Sequence, residues 1–257
     1  MSRKLFVVGG TGFVGQAVCR QALAQGWSVV SLSRRGAPSR NAQAPPGIHW
    51  VRGDALSPST YLSQLEGCTA VVHSVGVLLE TNYKPWVSLG SRNTPSATAA
   101  TYESANRDSA LAVWHAAQQT GVKAFAYMSA ADALPGINPR YISTKREAEA
   151  VILGDRQQQQ QEGGGGNVRP VVLRPGFLYS ADRPVTLPIA AAVGVFTKVV
   201  RDTPLGCLVR RTPLAKAATP ALNRDVLAAA IVRALDDPRV EGILDVAEIQ
   251  RLGESKK

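Results

Sequence analysis

A short apolar run, Leu5–Val8, ends in Gly9-Gly10-Thr11-Gly12-Phe13-Val14-Gly15, and the residues after it have helical spacing. A buried strand that breaks into glycines and restarts as a helix is a tight strand–helix turn. Gly9 permits the turn, Gly12 lets the backbone approach a pyrophosphate, and Gly15 lets helix and strand pack closely. The start of a helix over Phe13–Gln25 would then face the phosphates, where free N–H groups and the helix dipole favour an anion. The spacing is G-x-x-G-x-x-G rather than G-x-G-x-x-G. Its place at the first strand–helix turn makes Gly9, Gly10, Thr11, Gly12, Phe13, Val14 and Gly15 a candidate dinucleotide cradle.

The rest of the chain repeats this alternation. Val14, Val18, Ala22 and Leu23 share one helix face, and Gly26 closes the helix. Ser28–Ser33, His49–Val51, Ala70–Val77, Ala124–Ser129 and Val171–Arg174 read as further strands. Tyr61–Leu65, Ala105–Thr120 and Ile142–Leu153 read as helices. This pattern predicts an α/β protein with a Rossmann-type, doubly wound parallel sheet over residues 1–182. Residues 183–257 depart from it. Val185–Val200 is apolar, with Lys198 as its one charge. Arg224–Leu235 is an amphipathic helix with Asn223 as N-cap and Asp225 in its first turn. Gly242–Val246 is a last strand. This small C-terminal portion is expected to fold over the carboxyl ends of the sheet as a substrate-facing wall. Glu80–Tyr102 reads as a long polar loop. Residues 157–166, Gln157–Gln161 and then Gly163–Gly166, form a low-complexity insertion expected as a surface loop.

The 257 residues carry 29 basic and 19 acidic side chains, net +10, which favours phosphorylated ligands, anionic surfaces or acidic partners. The basic residues are scattered and match no nucleic-acid-binding motif, so nucleic acid is not expected as a partner. Cys19, Cys68 and Cys207 are too far apart for a metal cluster or a disulfide framework. No metal site is expected. No run of 18 apolar residues predicts a membrane span. The first strand begins at Lys4, which leaves no room for a cleavable presequence ahead of it.

The second strand ends in Ser33-Arg34-Arg35 where an NAD site would have a carboxylate for the ribose 2′-hydroxyl. Arg34 suits a 2′-phosphate, so NADP(H) is favoured and NAD(H) is the alternative. Asp54, after the third strand, is a candidate acceptor for the adenine amino group, or a turn residue. His73 and Ser74 end the fourth strand, where backbone lines the cofactor; His73 itself reads as structural. Tyr141 and Lys145 are four apart and share a helix face. A unit charge at about 4 Å and an effective dielectric of about 20 is worth about 4 kcal/mol. The ammonium would thus lower the phenol by at most about three pK units. Ser129, at the end of the fifth strand, would orient a substrate carbonyl. Asn106 would hold a water that relays protons to Lys145. Arg174, Pro175 and Gly176 fit a loop closing over the nicotinamide.

Together, Gly9–Gly15, Asn106, Ser129, Tyr141 with Lys145, Leu173-Arg174-Pro175-Gly176 and the Asp225-Val226 helix resemble the atypical or extended branch of the short-chain dehydrogenase/reductases. That resemblance spans nearly the whole chain. The stretches from Val71 to Glu80 and from Tyr141 to Glu149 resemble the fungal NAD(P)-binding proteins associated with coenzyme Q biosynthesis. A more distant resemblance is to the short-chain-dehydrogenase-like accessory subunit of respiratory complex I. The closer resemblance implies a mitochondrial protein, peripheral on the matrix side of the inner membrane, associated with the coenzyme Q synthesis complex. It implies either an oxidoreductase for a hydrophobic, quinone-like small molecule or a non-catalytic, cofactor-bound assembly subunit.

Overall fold

A computed structural model describes residues 3–38, 45–76, 101–131, 137–162, 168–202 and 219–255. The Glu80–Tyr102 loop, except for its last two residues, the Gly163–Gly166 tract and Cys207 lie outside them.

Seven parallel strands form one sheet: β1 (Lys4–Val8), β2 (Ser28–Ser33), β3 (Ile48–Arg52), β4 (Ala70–His73), β5 (Ala124–Met128), β6 (Arg169–Leu173) and β9 (Gly242–Leu244). Their order is β3-β2-β1-β4-β5-β6-β9, so the chain reverses direction between β1 and β4. This is the doubly wound Rossmann arrangement, with its ligand crevice at that reversal. The central strands are apolar on both faces because helices cover both. On one face α1 (Phe13–Ala24) and α6 (Arg224–Asp236) pack with Val7, Val72 and Ala126. On the other α3 (Ser109–Gln119) and α4 (Pro139–Glu162) pack with Phe6, Val71, Phe125 and Tyr127. A short helix, α2 (Leu62–Leu65), follows β3.

Two elements differ from the sequence reading. The glutamine run, expected as a loop, continues α4 as far as Glu162. Glutamine is a good helix former, and Arg156, one residue before the run, is tied to Glu241 at 2.6 Å. The helix expected over Ala105–Thr120 begins with a π-helical turn, Glu103–Asp108, before α3 proper. Such a turn leaves backbone carbonyls off the regular ladder.

The residues after 182 do two things. β9 pairs with β6 and completes the sheet, while α6 and α7 (Val246–Glu254) pack beside it. The Asn223 side chain caps α6 by accepting from the Asp225 N–H at 2.7 Å, as its position predicts. Outside these layers lies α5 (Thr186–Asp202), next to the two-stranded sheet of β7 (Leu178–Tyr179) and β8 (Leu222–Asn223). Val185, ahead of α5, and Ile189, Val195 and Val199 on it are exposed. Among the described residues, no helix is long and apolar enough to cross a membrane.

Candidate functional site

The glycine loop is shaped by backbone contact. Gly9 stands at φ +88° and its carbonyl accepts from the Gly12 N–H at 2.8 Å. A Cβ on Gly15 would lie 2.2 Å from the Gly9 oxygen and 2.8 Å from the Gly10 Cα. One on Gly10 would lie 2.1 Å from Ser31 Oγ. Gly12 is the N-cap of α1, so no side chain caps the helix, and no acidic residue stands in its first turn. Its first N–H groups therefore suit an anionic ligand. Ser74 fixes the opposite wall, its N–H and Oγ donating to the Val8 carbonyl at 3.0 and 2.8 Å. These residues fit a dinucleotide pyrophosphate.

At the next strand end, Ser33 Oγ donates to the Gly36 carbonyl at 2.6 Å, fixing the turn that exposes Arg34 and Arg35. Arg52 is the register partner of Ser33 and is also exposed. Among the described residues, no carboxylate pairs with any of these three arginines. In the sequence the one signal for Arg52 is its place as the basic residue just before Gly53-Asp54. Asp54 Oδ1 accepts from the Leu56 N–H at 3.0 Å, the contact of a turn residue.

Lys145 is buried, and its Nζ donates to the Met128 carbonyl at 2.7 Å. The same Nζ is 5.6 Å from the centroid of the Tyr141 ring and 5.4 Å from that of Tyr127. The expected pair therefore exists, but its electrostatics differ from the sequence reading. Burial, with a smaller contribution from Tyr102, pushes the Tyr141 phenol up to about 12 rather than down. Burial lowers Lys145 to about 8; Glu149 opposes that shift and Arg146 adds to it. Desolvation is the largest cause of both shifts. Were Lys145 to anchor the cofactor, affinity would fall between pH 7 and 9 as it deprotonates, with a midpoint near 8. Titrating binding in wild type and in Lys145→Met checks this, because the variant should show no such midpoint.

Asn106 sits in the π-turn, fully buried. A Cβ on Gly76 would lie 3.0 Å from its Oδ1 and 3.3 Å from Lys145 Nζ, so both groups converge on that glycine. Its backbone carbonyl, however, accepts from the Tyr127 hydroxyl at 2.8 Å, a contact that spacing did not reveal. His73 is buried and neutral, lowered to about 3 by burial and by Lys145. Ser109 Oγ donates to the Ala105 carbonyl at 2.8 Å, so the 3.0 Å contact with His73 Nε2 has the imidazole as donor.

Ser129 has partners that its place in the sequence does not show. Its hydroxyl bonds the Glu149 carboxylate, and Arg146 Nη1 lies 3.2 Å from it. Glu149 is 2% exposed and also pairs with Arg146 at 2.5 Å and with Arg174. Burial alone would raise its pKa, but hydrogen bonds from Arg174 and Ser129 and the two guanidinium charges hold the carboxyl below its usual range. Arg174, expected over the nicotinamide, is thus a partner of this buried carboxylate. Pro175 accepts from the Ala131 N–H at 2.8 Å, and Gly176 passes so close to Pro220 that a Cβ would lie 2.7 Å from its carbonyl oxygen. Glu149 was findable: it lies one helical turn beyond Lys145 on the same face.

A family described as NAD(P)H-binding matches residues 9–238, which covers the cradle, the tyrosine–lysine pair and α6. The chain belongs to the NAD(P)H-binding family. MIOREX complex component 2 of Saccharomyces cerevisiae is 34% identical over 217 residues, covering 71% of this chain and 75% of that one. An uncharacterised chloroplast protein of Arabidopsis thaliana is 29% identical, covering 97% and 77%. Among solved structures, the Bordetella bronchiseptica enzyme WbmF in complex with NAD+ superposes with TM-score 0.60 at 14% identity, covering all of this chain and 80% of that one. MoeE5 in complex with UDP-glucuronic acid and NAD superposes at 0.59 and 18% identity, covering 95% and 76%. At such identities the superpositions establish the short-chain-dehydrogenase and epimerase-like fold. The family match establishes NAD(P) binding.

Proposed function

We propose that this member of the NAD(P)H-binding family is an NADP(H)-dependent oxidoreductase acting on a hydrophobic, quinone-like intermediate in mitochondrial coenzyme Q biosynthesis. The observation that carries the oxidoreductase reading is the placement of Tyr141 against Lys145 Nζ, 5.6 Å from ring centroid to nitrogen, on the helix packed beside β5. The bound nicotinamide would supply hydride transfer. Tyr141, protonated at neutral pH, would deliver a proton to the substrate oxygen, and Lys145 would anchor the cofactor ribose. The exposed Arg34, with Arg35 and Arg52, supports a 2′-phosphate and hence NADP(H). The quinone setting, the matrix-side location and peripheral contact with the inner membrane rest on the sequence resemblance. A place in a multi-subunit assembly is also supported by the yeast relative's name as a complex component.

One observation favours a second reading, a cofactor-bound assembly subunit without turnover. The Ser129 hydroxyl, the expected carbonyl-orienting group, is tied to Glu149. Tyr141→Phe separates the two. For an oxidoreductase, NADPH oxidation with quinone head-group analogues should fall by about 10²- to 10⁴-fold, the usual share of acid–base catalysis, with NADPH affinity unchanged. No turnover by wild type, with coenzyme Q deficiency on deletion that Tyr141→Phe rescues, would establish the second.

A further inference from the structure

The segment between β7 and α5 runs along α1. Asp182 lies 3.5 Å from Arg20 and accepts from Arg224 Nη2 at 2.7 Å. Arg224 is buried and also bonds Asp225 at 2.9 Å, so two carboxylates meet its charge. The next residue, Arg183, differs. Its guanidinium carbon lies 4.4 Å from the centroid of the Phe13 ring, with that of Arg224 5.0 Å from the same ring. Arg183 is exposed, and among the described residues no carboxylate pairs with it. Three guanidiniums, Arg20, Arg183 and Arg224, thus face two carboxylates, Asp182 and Asp225, and the excess charge falls on Arg183.

Phe13 is the first residue of α1, the turn with no capping side chain and no acidic residue. A guanidinium lodged over an aromatic ring keeps the N–H donors in its own plane available, and that fork matches phosphate oxygens. Building on NAD(P) binding by the glycine loop, we infer that Arg183 donates to the pyrophosphate of the dinucleotide. The Phe13 ring is the shelf that holds the guanidinium at the cradle. The cofactor site then includes a residue from beyond position 182, on the segment that leads directly into α5. Both the hydrogen-bonding fork and the positive charge contribute, so lysine would restore only part of the effect.

The test uses three ligands on wild type, Arg183→Ala and Arg183→Lys: NADPH, ADP-ribose, which keeps the pyrophosphate, and adenosine 2′-monophosphate, which lacks it. Arg183→Ala should weaken NADPH and ADP-ribose about tenfold, the scale of one charge-assisted contact at an exposed site, and leave adenosine 2′-monophosphate unchanged. Arg183→Lys should fall between, and the alanine variant should lose part of the salt dependence of NADPH binding. The inference is overturned if Arg183→Ala binds NADPH within twofold of wild type, or if it loses adenosine 2′-monophosphate equally. Failure of wild-type protein to bind any of the three would instead overturn the dinucleotide site on which the inference rests.

Discussion

Gly15→Ala is expected to weaken NADPH binding by more than about a hundredfold while the apo protein still folds. The added methyl would sit 2.2 Å from the Gly9 carbonyl oxygen and 2.8 Å from the Gly10 Cα. Both neighbours are backbone, so no side-chain rotation relieves the clash. The glycine loop must move away from the start of α1, and overpacking of this kind typically costs about 1–3 kcal/mol. The larger loss is functional. A displaced loop misaligns two or three backbone N–H donors to a charged ligand, each worth about 1.5–3 kcal/mol. Calorimetric titration of the variant, with its apo melting temperature measured alongside, separates binding from folding. Near-wild-type affinity would show that the pyrophosphate does not lie against this loop.

Replacing Glu149 by Gln should produce the largest loss of stability from a single site, about 3–5 kcal/mol, the usual effect of removing one partner from a buried ionic cluster. For a chain of this length that corresponds to a fall of roughly 10 °C in melting temperature. Glu149 is 2% exposed and holds Ser129, Arg146 and Arg174 together. The amide keeps the shape but leaves two guanidiniums facing each other without the carboxylate charge. The pH dependence has a definite sign. Because the folded carboxyl titrates below the ordinary glutamate value, its contribution is present above that ordinary value and is lost as pH falls through the folded one. Wild type should therefore lose stability on acidification more steeply than Glu149→Gln. The substitution also removes the charge that opposes the lowering of Lys145, so the binding midpoint near pH 8 should move down. A melting temperature within about 2 °C of wild type would exclude a stabilising role for the cluster.

The cradle was readable because its signal is local. A strand, three glycines at fixed spacing and a helix are consecutive in sequence, and the positions of Gly9, Gly12 and Gly15 state which backbone atoms must approach one another. Tyr141 and Lys145 were readable for the same reason, since helix periodicity places them on one face. The position of Ser129 just after β5 is legible in the sequence, but its partner is not, because Glu149 reaches it from a different element twenty residues away. Tyr127 and Asn106 met through the π-turn, whose register no spacing rule anticipates. The glutamine run shows the limit of composition: a tract without apolar periodicity has no core to join, yet its helix propensity suffices when a long helix already leads into it.

Strand and helix periods and glycine geometry are properties of neighbouring residues, so the doubly wound sheet, the place of the glycine loop and the Tyr141–Lys145 pair follow from the order of residues alone. Packing of the layers sets the protonation behaviour of that pair. Spacing gives the distance between Tyr141 and Lys145 but not the solvent they lose, and in the folded protein desolvation raises the phenol and lowers the ammonium. Packing also decided that Ser129 belongs to a buried carboxylate cluster, and that Arg183 stands over the first residue of α1. Those contacts join segments far apart in the chain, so they exist only once the layers have packed.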